Sequence, residues 1–305
     1  TTTGNQSQTT LAALADGRFV AAWQDYSLSG DDASLHAVRA QVFNADGTKS
    51  GSEFLVNTTT AGSQSDPTFT ALADGRFVGV WTDNSLTGGD TSGTAVRAQV
   101  FNADGTRSGG EFLVNAMTTG NQYDPTITAL ADGRFVVAWL DFSQSLGDTS
   151  GAAVHGQVFN ADGGKSGSEF LVNSTVYGDQ YLQAFAALAD GRFVVAWADY
   201  SATGGDPSGG AIRAQVFASD GTKSGSEFLV NTTTTGTQFW TTLAALADGR
   251  FVVAWSDTSA TGGDASGYAV RGQIFDPREE AVQVLGTTAD DDFVGTAWGD
   301  RLWGG

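Results

Sequence analysis

The residues able to do chemistry in this 305-residue chain recur at one fixed interval. An aspartate stands at Asp25, Asp83, Asp141, Asp199 and Asp257, each 58 residues after the last and each in the frame Trp-x-Asp-x-Ser. The paired serines are Ser27, Ser85, Ser143, Ser201 and Ser259, and a second aspartate follows within a glycine-rich stretch at Asp32, Asp90, Asp148, Asp206 and Asp264. Upstream in every unit is a glutamine: Gln6, Gln64, Gln122, Gln180 and Gln238. Carboxylates, hydroxyls and amide oxygens converging on one loop suit Ca²⁺, a hard cation that takes oxygen ligands. The same groups can orient a sugar through its hydroxyls while an aromatic ring covers its apolar face. The first aspartates, with Gln64, Gln122, Gln180 and Gln238 and the adjacent Tyr26 and Tyr200, form the candidate ligand set. The second aspartates form the candidate metal set. The competing reading is local: Asp and Ser in glycine-rich loops commonly bond their own backbone in Asx- and Ser-turns.

Catalysis finds less support at this level. His36 and His155 are the two histidines, and they lie in different units and contexts, so neither a Ser–His–Asp set nor a His-rich metal site can be assembled. Five near-equal copies favour multivalent binding, because an enzyme breaks the symmetry at one site. The expectation is therefore a non-catalytic module, with a structural spacer or assembly unit as the alternative and a polysaccharide-active enzyme, built on a carboxylate pair, third.

The elements that must hold these residues follow from the repeat. The decapeptide Leu14-Ala-Asp-Gly-Arg-Phe-Val-Ala-Ala-Trp23 returns at 72–81, 130–139, 188–197 and 246–255 without insertion or deletion. In residues 64–115, two β-prone runs flank Asp74-Gly75, the strongest short-range hairpin signal. After the polar loop, Ala95-Val-Arg-Ala-Gln-Val-Phe101 alternates, Asp104-Gly105 turns the chain, and Glu111-Phe-Leu-Val-Asn115 supplies a fourth strand. Nothing has helical periodicity. Four short strands in a meander, repeated, predict an all-β chain and a five-bladed β-propeller of 58-residue blades, with units starting near 6, 64, 122, 180 and 238 and occupying 1–285. In such a meander the Ala-Asp-Gly-Arg and Asn-Ala-Asp-Gly turns share one face. The long polar loop and the inter-blade linker share the other, where function is expected. Trp23 and its equivalents are expected between blades. Arg39, Arg97, His155, Arg213 and Arg271 are expected to pair with a recurrent aspartate.

Composition limits the partners. Asp+Glu number 34 against 15 Lys+Arg, a net charge of −19 that repels phosphate backbones and excludes nucleic acid as a natural partner. There is no cysteine, hence no disulfide or thiol chemistry. No apolar run approaches the ~20 residues needed to span a bilayer. Thr1-Thr-Thr-Gly-Asn-Gln6 matches the inter-unit linker rather than a signal peptide, which suggests a fragment of something longer.

The pattern changes after Phe275. Gly286, Gly295 and Gly304 fall nine apart, as do Asp291 and Asp300, and Val284, Phe293 and Leu302. Glycine for turns, aspartate for a cation and an apolar residue inward is the logic of a calcium-bound parallel β-roll. Residues 286–305 resemble the onset of RTX (hemolysin-type, glycine-rich nonapeptide) repeats, although Trp298 stands where that family favours small residues. The 58-residue units in turn resemble the Asp-Gly/Trp-rich propeller-type repeats of large RTX proteins and adhesins. The resemblance implies type I secretion, residence outside the cell or on its surface, and calcium at Asp291 and Asp300. Together these readings predict a secreted lectin-like module for a glycan or cell-surface polysaccharide.

Overall fold

The computed structural model describes residues 4–27, 35–149, 151–263, 267–278, 283–285 and 301–303. The first sheet is β1 (Gln6–Ala13), β2 (Phe19–Asp25), β3 (Ala37–Phe43) and β4 (Lys49–Leu55). The second is β5 (Gln64–Ala71), β6 (Phe77–Asp83), β7 (Ala95–Phe101) and the short β8 (Phe112–Leu113). The third is β9 (Gln122–Ala129), β10 (Phe135–Asp141), β11 (Ala153–Phe159) and β12 (Lys165–Leu171). The fourth is β13 (Gln180–Ala187), β14 (Phe193–Asp199), β15 (Ala211–Phe217) and β16 (Lys223–Leu229). The fifth holds β17 (Gln238–Ala245), β18 (Phe251–Asp257) and β19 (Ala269–Phe275). Every sheet is an antiparallel meander in sequence order, and no described residue is helical. This is the expected five-bladed propeller, with one correction: among the described residues the fifth blade has three strands, not four. Residues β20 (Gln283–Leu285) do not join it. They pair in parallel with β21 (Arg301–Trp303), Gln283 opposite Arg301, an offset of two nine-residue periods.

The Asp-Gly hairpins set the register. Leu14 N–H donates to Arg18 O and Gly17 N–H to Leu14 O, with Gly17 at φ +85°, a left-handed turn position that glycine occupies without steric cost. Asp16 Oδ1 accepts from Arg18 N–H, which closes an Asx turn. From there the sheet runs Phe19↔Phe43 to Asp25↔Ala37 and repeats in every blade. The loop aspartates thus fall at the far end of the second strand, opposite the hairpin.

Blades pack one face on the next. Val20, Ala22, Val38, Ala40 and Val42 of the first sheet bury against Phe69, Phe77, Trp81 and Phe101 of the second, and the later interfaces repeat the scheme. Phe77 stacks on Phe101 at 5.2 Å, and Phe54 of the preceding blade tilts onto Phe101 at 5.5 Å. Gly105 makes this approach possible, because a Cβ there would lie 2.7 Å from the Phe54 ring. Each fully buried aromatic of this kind contributes roughly 1.5–3 kcal/mol. The expectation of tryptophans between blades is met for Trp81, Trp139, Trp197 and Trp255, while Trp23 of the first blade is half-buried.

The inner strands β1, β5, β9, β13 and β17 pack side by side in sequence order around the axis. The two end sheets differ from the rest. Among the described residues β1 and β17 lack the packing that joins each successive pair. The first blade leaves Leu11 64% exposed, and the fifth leaves Val270 83% exposed.

Candidate functional site

The fold gathers the repeated loop residues as expected, but it encloses them. Asp25, Asp83, Asp141, Asp199 and Asp257 are all buried, as are Gln64, Gln122, Gln180 and Gln238. In the second blade Asp83 Oδ1 accepts from Gln64 Nε2 at 2.9 Å, and its Oδ2 accepts from Ser85 Oγ and Arg97 Nε, both at 2.6 Å. Arg97 Nη1 then donates to Glu111 at 3.1 Å, and Arg213 in the fourth blade bonds Asp199 and Glu227 in the same way. The arginine–aspartate pairs expected from the sequence are present. Burial by itself would raise the Asp257 carboxyl, but hydrogen bonds from Ser259, Gln238 and Arg271 outweigh it and hold the group at about 2. For Asp25 the same balance, with Gln6, Ser27 and Arg39 opposing burial, leaves the carboxyl below its usual value.

Asp90, Asp148 and Asp206 are buried too, and each accepts from a linker asparagine: Asn115, Asn173 and Asn231. Asp32, Asp264, Asp291 and Asp300 lie outside the described residues. Tyr26 and Tyr200 stay accessible, Tyr26 against His36 at 4.1 Å and Tyr200 edge-on to Tyr181 at 5.7 Å.

A second set of carboxylates, which the sequence reading passed over, lies near the same end of the inner strands. Each inner strand carries a β-bulge, and its register shifts between Ser7 and Thr10, between Ser65 and Thr68, and at the matching places in the third, fourth and fifth sheets. The bulged residues Gln8, Asp66, Asp124 and Trp240 take φ of +51°, +52°, +50° and +49°. Left-handed backbone at four equivalent non-glycine positions is strain, which clusters where chain geometry serves a function. The side chains there are not repeated. The second and third blades have Asp66-Pro67 and Asp124-Pro125, the first has Gln8-Thr9 and the fifth has Trp240-Thr241. Proline is tolerated because a bulge lacks a ladder hydrogen bond to lose.

Neighbouring bulges touch. Gln8 Nε2 donates to Asp66 Oδ1, Ser65 Oγ donates to Asp66 Oδ2 at 2.8 Å, and Thr68 Oγ1 donates to Pro125 O at 3.1 Å. Asp66 therefore has a donor on each oxygen. Asp124 Nα–H donates to Thr82 Oγ1 at 3.2 Å, and no described side chain donates to its carboxyl. Although Asp124 keeps an open side to solvent, the crowding of surrounding protein, and then the charge of Asp66, push its carboxyl above the ordinary aspartate value. Gln8, Asp66, Pro67, Thr68, Asp124, Pro125 and Thr126 line one cleft of about 270 Å³. Trp240, on the same ring of positions, is 73% exposed. The signal was available in the sequence: at this position of the repeat, Asp-Pro stands in two adjacent units only.

No protein-family model matches the chain, and no characterised protein matches it by sequence. Its fold is that of several solved structures. The K499G mutant of NanB sialidase from Streptococcus pneumoniae superposes with a TM-score of 0.54 at 9% identity, covering 84% of this chain and 57% of the sialidase. The GH93 α-L-arabinofuranosidase of Fusarium graminearum, solved with arabinobiose, superposes with a TM-score of 0.52 at 13% identity, covering 88% of this chain and 82% of the enzyme. The chain thus spans little more than half the length of the sialidase. These matches show the propeller fold. The expectation that it is no enzyme is corrected by these matches, which are to a sialidase and an arabinofuranosidase. That expectation rested on five equal units, and Asp66 and Asp124 make the units unequal.

Proposed function

We propose that this chain acts on a glycan as a glycoside hydrolase, with Asp66 and Asp124 as its working carboxylates. The observation that carries the reading is the pairing of these two carboxyls in one open cleft, one hydrogen-bonded by Gln8 and Ser65, the other without a side-chain donor and raised. Two carboxyls with environments that push them apart can divide acid and base roles. Asp124, protonated, gives its proton to the departing glycosidic oxygen as the C–O bond breaks. Asp66 takes a proton from the water that attacks the anomeric carbon. Trp240 offers an apolar ring face to the sugar, as aromatic residues do in such pockets. A volume near 270 Å³ is at the small end of ligand pockets and suits a single terminal sugar ring. Fold-mates that include a sialidase and an arabinofuranosidase support a carbohydrate substrate.

The test is release of sugar from arabinobiose, linear arabinan and sialyllactose by the purified chain and by Asp66→Asn and Asp124→Asn. Turnover of any of them that both substitutions abolish supports the assignment. Turnover that survives both would remove these residues from the chemistry.

A further inference from the structure

The third blade departs from the others at a second place. Where the first, second and fourth blades hold an arginine between an aspartate and a glutamate, the third has His155 between Asp141 and Glu169. Asp141 and His155 have no solvent exposure, and the Glu169 side chain is 4% exposed. His155 Nδ1 lies 2.7 Å from Glu169 Oε1 and 3.7 Å from Asp141 Oδ2. These three atoms all fall within 4.8 Å of one another. The replacement removes a permanent cation from between two buried carboxylates. It also leaves Asp141 Oδ2, which faces the histidine, and His155 Nε2 buried without hydrogen-bond partners. Burying unpaired groups of this kind is costly, and the equivalent oxygens of Asp83 and Asp199 each receive an arginine Nε.

The surroundings have changed with the histidine. In the second, fourth and fifth blades a glycine covers the guanidinium, and a Cβ on Gly88, Gly204 or Gly262 would lie 2.5, 2.1 or 2.6 Å from an arginine nitrogen. The third blade has Leu146 at the matching position, in the same left-handed conformation at φ +52°. The shorter imidazole makes room for that side chain. The histidine and the leucine are thus one coordinated departure, and the charge deficit beneath them is the part left uncompensated.

We propose that Asp141, His155 and Glu169 bind a divalent transition-metal cation of the Zn²⁺ class through Oδ2, Nδ1 and Oε1. One imidazole nitrogen and two carboxylate oxygens suit Zn²⁺ better than Ca²⁺, which prefers oxygen alone. Tetrahedral ligands about 2.1 Å from zinc are about 3.4 Å apart, so the 2.7 and 3.7 Å separations need to adjust by well under 1 Å. The +2 charge cancels the two carboxylates, and the cation supplies Asp141 Oδ2 with the partner it lacks. It thereby ties the ends of β10, β11 and β12 together, as arginine does elsewhere. The cation is structural in this position, separate from the cleft of Asp66 and Asp124.

The test uses the whole chain stripped with EDTA and dialysed into metal-free buffer. Titration with ZnCl2, followed by calorimetry, metal analysis and melting temperature, is expected to show one zinc per chain and a rise in Tm. His155→Arg combined with Leu146→Gly restores the side chains of the second blade, so it has a precedent for folding within this same molecule. It is expected to fold, to bind zinc at least ten-fold more weakly, and to show no zinc-dependent rise in Tm. A wild-type chain that takes up no zinc, or whose Tm does not respond to zinc, would overturn the proposal. Equal zinc binding by the double variant would overturn it as well.

Discussion

Asp83 and Asp66 lie on neighbouring strands of one sheet, two residues apart in register, and their surroundings could hardly differ more. Asp83 is buried, with Gln64, Ser85 and Arg97 on its two oxygens, and the first, fourth and fifth units repeat the arrangement around an equivalent aspartate. Asp66 faces an open cleft beside a second carboxyl, and a single other blade has its equivalent. The comparison separates two reasons for an acidic residue to stand at the functional face. What recurs in every unit joins the strands within a blade and anchors the linkers. What interrupts the recurrence is left free to meet a ligand.

Substitutions can break this comparison in order of effect. Asp66→Asn and Asp124→Asn each remove a carboxyl and little volume; a loss in kcat of about 10²–10⁴-fold is expected, read as sugar release, with Tm near the wild-type value. Asp83→Ala acts the other way. It leaves Arg97 buried beside Glu111 and should cost about 3–5 kcal/mol in denaturant unfolding, the usual result of stripping one partner from a buried ion pair. If Asp83→Ala proved harmless to stability yet fatal to binding, the division between scaffold and site would be reversed.

Two pH effects of opposite sign sharpen the comparison. Asp257 is held at about 2 against 3.8 in the unfolded chain, so its contribution is present above 3.8 and is lost as pH falls towards 2. Asp257→Asn should flatten that part of the acid-unfolding curve. Asp124 has a raised folded value, so it disfavours the folded state as pH climbs through the range where the free aspartate ionises first. In the proposed reaction its proton is also the one given to the leaving oxygen. Activity should therefore fall on the alkaline side with an inflection above the ordinary aspartate value, measured as kcat/KM against pH. The smallest effect belongs to the opposite face. Asp74 pairs with Arg76 in an exposed hairpin, and Asp74→Ala should cost about 0.2–1 kcal/mol and leave activity unchanged.

How much of this was legible follows from what repeats. Asp74-Gly75 and its equivalents, the alternation of Ala95–Phe101 and the tryptophans set out strands, turns and blade order, because local propensity and burial act together in each unit. The sequence also indicated which face to inspect. It could not separate a loop aspartate that meets solvent from one that meets Arg97, since Asp and Ser in glycine-rich loops read alike. Asp66 and Asp124 were hidden for a different reason. A bulge is a property of pairing between strands, and the packing of one blade on the next brings residues 58 apart into one cleft. His155 was visible as an exception, yet Asp141 and Glu169 lie 14 residues to either side of it and become its neighbours through the antiparallel register. The fifth blade, expected with four strands, holds three among the described residues, and β20 pairs with β21.

The most direct measurement is the rate of sugar release from arabinobiose, arabinan and sialyllactose by the wild-type chain, Asp66→Asn, Asp124→Asn and, as a control on the repeated ring, Asp199→Asn. The account predicts that wild type and Asp199→Asn, the latter assayed where it stays folded, share activity on at least one of the three, while both bulge variants lose it by about 10²-fold or more. Activity retained in both bulge variants, or lost only in Asp199→Asn, would contradict it.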